Sequence, residues 1–179
     1  MDKAHLKLKL KSSHDELLRT VEILSEKQCI EPPLGKWTGL QHIKHILLSI
    51  SPVVKLLGNR EKLFSRKFGE SVTGSQPYQV IEEQYIRLLA PGIEAPQPFI
   101  PTDLKYGDKN VIFEEYNEKV KSLLGNIDDW SEEELDKYLI PHPLLGNLTL
   151  REMLYFFIYH SRHHQNNVER TLITYEAAK

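Results

Sequence analysis

The sequence predicts an all-α protein, a four-helix bundle with a long connection between its second and third helices. Three observations carry this reading. Apolar residues recur at three- and four-residue intervals in four long segments, capping signatures open the clearest of them, and no alternating strand pattern lies between them. A chain of 179 residues, 40% of them hydrophobic, can bury a core of its own as one domain covering residues 1–179.

The first helix is expected from roughly residue 3 to 26, where Leu10, Leu17, Leu18, Val21 and Leu24 share one stripe. Pro32, Pro33 and Gly35 separate it from a second helix. That helix opens at Thr38, with Gln41 three residues on in the capping-box spacing, and continues to about Leu57. From Gly58 to Asp108 the chain changes character. Pro77, Pro91, Pro96, Pro98 and Pro101, with Gly74, Gly92 and Gly107, interrupt it, and only residues 77–90 carry a helical pattern. A connection of this length is either a lid or substrate-binding wall or a plain crossover, and the residues leave both open.

The third helix, about Asn110 to Leu124, presents Val111, Ile112, Tyr116, Val120, Leu123 and Leu124 and is expected to end at Gly125. A short helical turn follows, with Ser131 and Glu134 as its capping box and Trp130 stapled against Leu135. The fourth long helix opens on Thr149 and Glu152 as capping box, with Leu148 and Met153 as hydrophobic staple.

Charge and cysteine usage narrow the function classes. A net charge of -2 offers no field that collects phosphate backbones, so nucleic acid is not an expected partner. The lysines at 3, 7, 9 and 11 are answered by Asp15, Glu16 and Glu22, as on a solvated helix face. No stretch approaches the roughly 18 apolar residues that span a bilayer, and no secretory h-region is present, so a membrane partner is not expected and the expected compartment is the cytoplasm. Cys29 is the single cysteine and is read as a small core residue; any metal must be held by histidine and carboxylate.

Five of the eight histidines fall on the two most apolar helices: His42, His45, His160, His163 and His164. His160 and His164 are four residues apart, which puts both imidazoles on one helix face where they can grip one ion. They lie on the stripe Met153, Phe157, His160, His164, Val168, expected to be buried. Arg151, Tyr155, Tyr159, Arg162 and Glu169 form the stripe expected to face solvent. Three neutral imidazoles plus an open position make the arrangement of catalytic zinc sites, and the third comes from the second helix. His42 and His45 both point away from the face marked by Lys44 and Lys55, and the helical wheel alone slightly favours His42.

Two blocks of the sequence resemble the DinB/YfiT-like superfamily of metal-binding four-helix proteins. WTGLQHIKHI supplies Trp37, Thr38, Gln41, His45 and Ile46, and HPLLGNLTLREMLYFFIYHSRHHQ supplies Pro143, Gly146, Thr149, Glu152, His160 and His164. The resemblance selects His45 over His42 and His164 over His163. It implies one divalent ion, zinc or nickel above all, on His45, His160 and His164, with water or substrate completing the shell. The pattern departs at Asn167, where the family often carries Gln or His. Characterised relatives include thiol S-transferases that use low-molecular-weight thiols such as bacillithiol or mycothiol.

The leading expectation is therefore a metal-dependent enzyme of thiol S-transferase or hydrolase type acting on a small molecule. Gln41, His42, His163 and Asn167 lie within a turn of the three histidines and are expected to orient them or touch substrate. The competing expectation is a non-catalytic metal- or small-molecule-binding stress-response module, which a fourth protein ligand such as Glu152, Asp15 or His14 would favour. A scaffold without metal is the third reading. The apolar helix faces leave homodimerisation open. No GxSxG, P-loop or GxGxxG is present, so serine-hydrolase and nucleotide chemistry have no support.

Overall fold

The computed structural model describes residues 1–31, 36–90, 92, 94–102 and 104–177, with side chains as far as 173. Pro32, Pro33, Gly35 and Pro91 lie outside the described residues. Four long helices form the bundle: α1 (Lys3–Glu22), α3 (Gly39–Leu57), α6 (Lys109–Asn126) and α8 (Leu150–Ala177). Helix α1 packs mainly on α8 and α3 mainly on α6, so the first and last helices are neighbours. Shorter helices fill the connections: α2 (Glu26–Ile30), α4 (Arg60–Ser65), α5 (Tyr78–Leu89) and α7 (Glu132–Lys137).

The expected capping signatures are all made. Thr38 Oγ1 accepts from Gln41 N–H at 3.2 Å while Gln41 Oε1 accepts from Thr38 N–H at 2.9 Å, so both orphan donors at the start of α3 are paired. Ser131 and Glu134 do the same for α7. At α8, Thr149 Oγ1 accepts from Glu152 N–H at 3.1 Å, and Glu152 accepts from Thr149 N–H and also from Gln76 N–H, each at 2.7 Å. That last bond ties the long connection to the first turn of the helix that carries His160 and His164.

Several elements differ from expectation. The first helix stops at Glu22 rather than near residue 26, because Ser25 caps a separate short helix, α2. The connection contains α4 as well as α5, and α4 opens on Asn59, whose side chain accepts from Lys62 N–H at 2.8 Å. Gly125 does not end α6, which continues through it to Asn126 and into a 3-10 turn. A two-stranded antiparallel hairpin, β1 (Leu139–His142) and β2 (Gly146–Thr149), precedes α8 where no strand is expected. Four-residue strands containing Pro141 are too short to show an alternating pattern. The turn is closed by His142 Nδ1, which accepts from the backbone N–H of Leu144 and Leu145 at 3.2 and 3.0 Å, and Gly146 takes a positive φ of 75°.

The supposed solvent stripe of α8 is half wrong. Tyr159 is half-buried, and Arg162 and Glu169 are exposed, but Arg151 and Tyr155 are buried. The Arg151 guanidinium lies between Asp136 and Glu132 and donates to the Met1 carbonyl at 2.9 Å, so a buried cation is paid back by two carboxylates and the chain start. Trp130 is fully buried and donates from Nε1 to the Leu57 carbonyl at 3.1 Å, locking the end of α3 to the turn before α7. Cys29 is a buried core residue whose thiol is pushed up by desolvation. Among the described residues no helix is long and apolar enough to cross a membrane.

Candidate metal centre

His45 sits in the middle of α3, and His160 and His164 sit one turn apart on α8. All three are buried. Their Nε2 atoms converge: His160 Nε2 lies 3.0 Å from His45 Nε2 and 3.0 Å from His164 Nε2. A tetrahedral ion with bonds of about 2.0 to 2.1 Å needs its ligand nitrogens about 3.3 Å apart; the two separations from His160 are within a few tenths of an ångström of that, and one nitrogen of each ring lies within 4.8 Å of the other two.

Hydrogen bonding behind the ring fixes which nitrogen of His45 faces inward. His45 Nδ1 is 2.7 Å from the Phe99 carbonyl oxygen, which can only accept, so Nδ1 carries the proton and Nε2 is a bare lone pair. His164 Nδ1 is 2.7 Å from His42 Nδ1, so one of these two nitrogens carries the proton between them; when it is on His164, Nε2 is left free. His160 Nδ1 is the one buried side-chain nitrogen or oxygen without a partner among the described residues, so every polar contact of that ring is on its Nε2 side. A single proton on His160 Nε2 can satisfy one neighbouring lone pair well. A divalent cation satisfies all three, so the donor set fits one.

Burial keeps these rings neutral, the form a metal requires. Desolvation lowers His42 to about 3 and holds His45, His160 and His164 below the ordinary histidine range, with mutual repulsion adding to it in the last two. Among the described residues the group of potential ligands is these three alone. Glu152 is occupied at the α8 cap, His14 Nδ1 faces Tyr116 Oη at 2.6 Å, and Asp15 pairs with Lys11.

The three nitrogens open onto a cavity of about 730 Å³. His42, His163 and Asn167 line it, with Asn167 Nδ2 donating to His163 Nε2 at 3.0 Å. Gln41 does not; its side chain is held in the α3 capping box and reaches no wall. Three contributors escape the sequence reading. Trp37 lies almost parallel to His164, with ring centroids 5.8 Å apart and an 11° tilt, and 4.8 Å from His45. The Phe99 carbonyl comes from the connection, and Tyr85 of α5 brings its ring 5.8 Å from His160. Only Trp37 leaves a signal, as the first residue of the WTGLQHIKHI block; a backbone carbonyl and a crossover tyrosine leave none. The connection thus forms a wall of the cavity and part of the support for His45, which answers the choice between wall and plain crossover.

Comparison with known proteins agrees with this fold. The family model of the DinB superfamily matches residues 9–168, which takes in His45, His160 and His164. No curated protein matches the chain. Among solved structures, TT2238, described as a four-helix bundle protein, superposes with a TM-score of 0.61 at 15% identity, covering 94% of this chain and 99% of that one. YfiT from Bacillus subtilis, described as a probable metal-dependent hydrolase with an unusual four-helix bundle topology, gives a TM-score of 0.51 at 18% identity over 95% of this chain and 87% of its own. At these identities both show a shared fold.

Proposed function

The chain belongs to the DinB superfamily, and from that premise we propose that it is a metal-dependent hydrolase of small molecules, holding one divalent ion on His45, His160 and His164. The observation that carries the reading is the open side of the cluster. Three buried imidazoles converge with no fourth protein ligand among the described residues, and they face a large cavity. Structural zinc is normally closed by four protein ligands, whereas catalytic zinc keeps a position for water or substrate. The description of YfiT as a probable metal-dependent hydrolase points the same way.

Zinc or nickel suits three neutral imidazoles. A divalent ion held this way supplies a Lewis acid at neutral pH. The chain's own residues do the positioning. The Phe99 carbonyl fixes the tautomer of His45, His42 holds Nδ1 of His164 and so orients its ring, and Trp37 packs over both ligand rings. Buried apolar walls limit water around the reacting group, which strengthens every electrostatic contact inside. Because His160 and His164 are adjacent turns of one helix and His45 belongs to another, correct assembly of the site requires the α3–α8 contact.

The test is metal quantification on the purified protein and on His160→Ala, with hydrolysis of a panel of small esters and amides before and after chelation. About one ion per chain in the wild type, loss of it in the variant, and turnover that chelation removes and zinc or nickel restores are the expected results. Stoichiometric metal with no turnover on any ester or amide of the panel would leave a non-catalytic binding module.

A further inference from the structure

The walls of the cavity say what kind of molecule it takes. Below its mouth the described lining is apolar apart from the histidines and a few neutral groups: Val53, Leu89, Phe99, Leu144, Phe156 and Phe157 make most of the wall. The charged side chains that line it, Lys36, Glu94 and Arg170, are all exposed and so belong to the rim. No carboxylate or ammonium of the described residues lies deep enough to receive a charged body. Among the described residues the place for charge inside is the histidine cluster itself, where an ion held by three neutral imidazoles would keep its full positive charge.

Tyr85 adds a directional group beside that centre. Its ring is buried, packs edge-on to Phe156 at 5.0 Å and stands 5.8 Å from His160, and its hydroxyl has no hydrogen-bond partner among the described residues yet is not sealed off. A neutral phenol hydroxyl can donate to an oxygen acceptor. A molecule reaching the histidines can bring an electron-pair donor to the centre and an acceptor to Tyr85, which lines the same cavity. An oxygen head group does both, whereas an ammonium has no lone pair to offer the centre.

We propose that the cavity binds a small amphiphile, an aliphatic or aromatic body ending in one carboxylate or acyl oxygen, with the head between the histidine cluster and Tyr85 and the body against the apolar wall. This rests on the metal reading above and names the substrate class for it: acyl compounds with an apolar acyl group, whose hydrolysis product is the matching carboxylate.

The probe is that product class. Zinc-loaded protein, its metal content measured first, is titrated by calorimetry with straight-chain carboxylates from butyrate to decanoate and with alkylamines of the same lengths. Quenching of Trp37 fluorescence serves as a second readout, with Trp37→Phe as its control. Affinity for the carboxylates is expected to rise about two- to fourfold per methylene. Amines are expected to bind at least tenfold more weakly. Tyr85→Phe is expected to weaken every carboxylate by about five- to tenfold without changing the chain-length slope, while Leu144→Asn, at the hairpin turn, is expected to flatten the slope. Metal bound at one per chain with no chain-length dependence, or amines bound as tightly as carboxylates, overturns the proposal and leaves the metal reading standing. Absence of metal binding overturns both.

Discussion

His42 and His164 face one another Nδ1 to Nδ1 at 2.7 Å, so the histidine that the helical wheel prefers as a ligand is instead the partner that orients one. Its ring stands behind His164, away from the point where the three Nε2 atoms meet. Removing it leaves the three inward nitrogens in place but frees His164 to choose its tautomer. His42→Ala is expected to weaken zinc binding by about 10- to 100-fold, the usual effect of losing such a support. His163→Ala, which removes a cavity wall residue hydrogen-bonded to Asn167 and not to a ligand ring, is expected to change zinc affinity by less than about threefold. Competition against a chromophoric chelator measures both, and equal losses in the two variants would contradict the assigned roles.

An ion bound by the native chain and released by the unfolded one stabilises the fold by mass action. At free zinc about 1,000 times the dissociation constant the gain is about 4 kcal/mol, which for a chain of this size raises Tm by roughly 8 to 16 °C. Calorimetric melting with and without chelator reads it directly. In His160→Ala the chelator is expected to make no difference, because two remaining imidazoles from separate helices no longer form a three-point site.

The bundle was legible because its signals are local and redundant. Leu10, Leu17 and Val21 on α1, or Ile112, Tyr116 and Val120 on α6, repeat one period many times, and the Thr38–Gln41 and Thr149–Glu152 boxes mark where helices begin. The grouping of His45 with His160 and His164 was legible from the two sequence blocks, while the residues around the group depend on tertiary contacts that leave no periodic trace. The Phe99 carbonyl reaches His45 across 54 positions through a proline-rich connection, and Arg151 is buried because Asp136 and Glu132 come to it from α7. The hairpin before α8 was missed since β1 and β2 hold four residues each and one of those is proline.

Glu152 joins the start of α8 to the long connection by accepting from both Thr149 N–H and Gln76 N–H. Glu152→Ala leaves two backbone donors without partners, one of them buried. The expected loss is about 2 to 4 kcal/mol in urea unfolding, from a cap at about 1 kcal/mol and an unpaired buried donor at 1 to 3. Because Gln76 anchors the segment that carries Tyr85 and Phe99, the same variant is expected to expose that segment to limited proteolysis before the bundle itself is cut.

Acid is expected to weaken this fold before most of its carboxylates are protonated. His14, fully buried with Nδ1 against Tyr116 Oη, and His142, buried at the hairpin turn, are each lowered by desolvation from 6.5 to about 4. The native state therefore resists a proton that the unfolded chain accepts. Their stabilisation is fully present above pH 6.5, falls as the pH drops through the window from 6.5 to 4, and levels off below it. Linkage puts the loss at about 1.4 kcal/mol per group at pH 5.5 and about 2.5 at pH 4.5. Urea unfolding of chelated protein at pH 7.5, 5.5 and 4.5 measures it. His14→Leu is expected to start less stable at pH 7.5, since Tyr116 and Ser161 lose their partner ring, and then to lose about 2.5 kcal/mol less than the wild type by pH 4.5. A wild-type curve flat between pH 7.5 and 4.5 would mean that these imidazoles gain a proton in place, without cost to the fold.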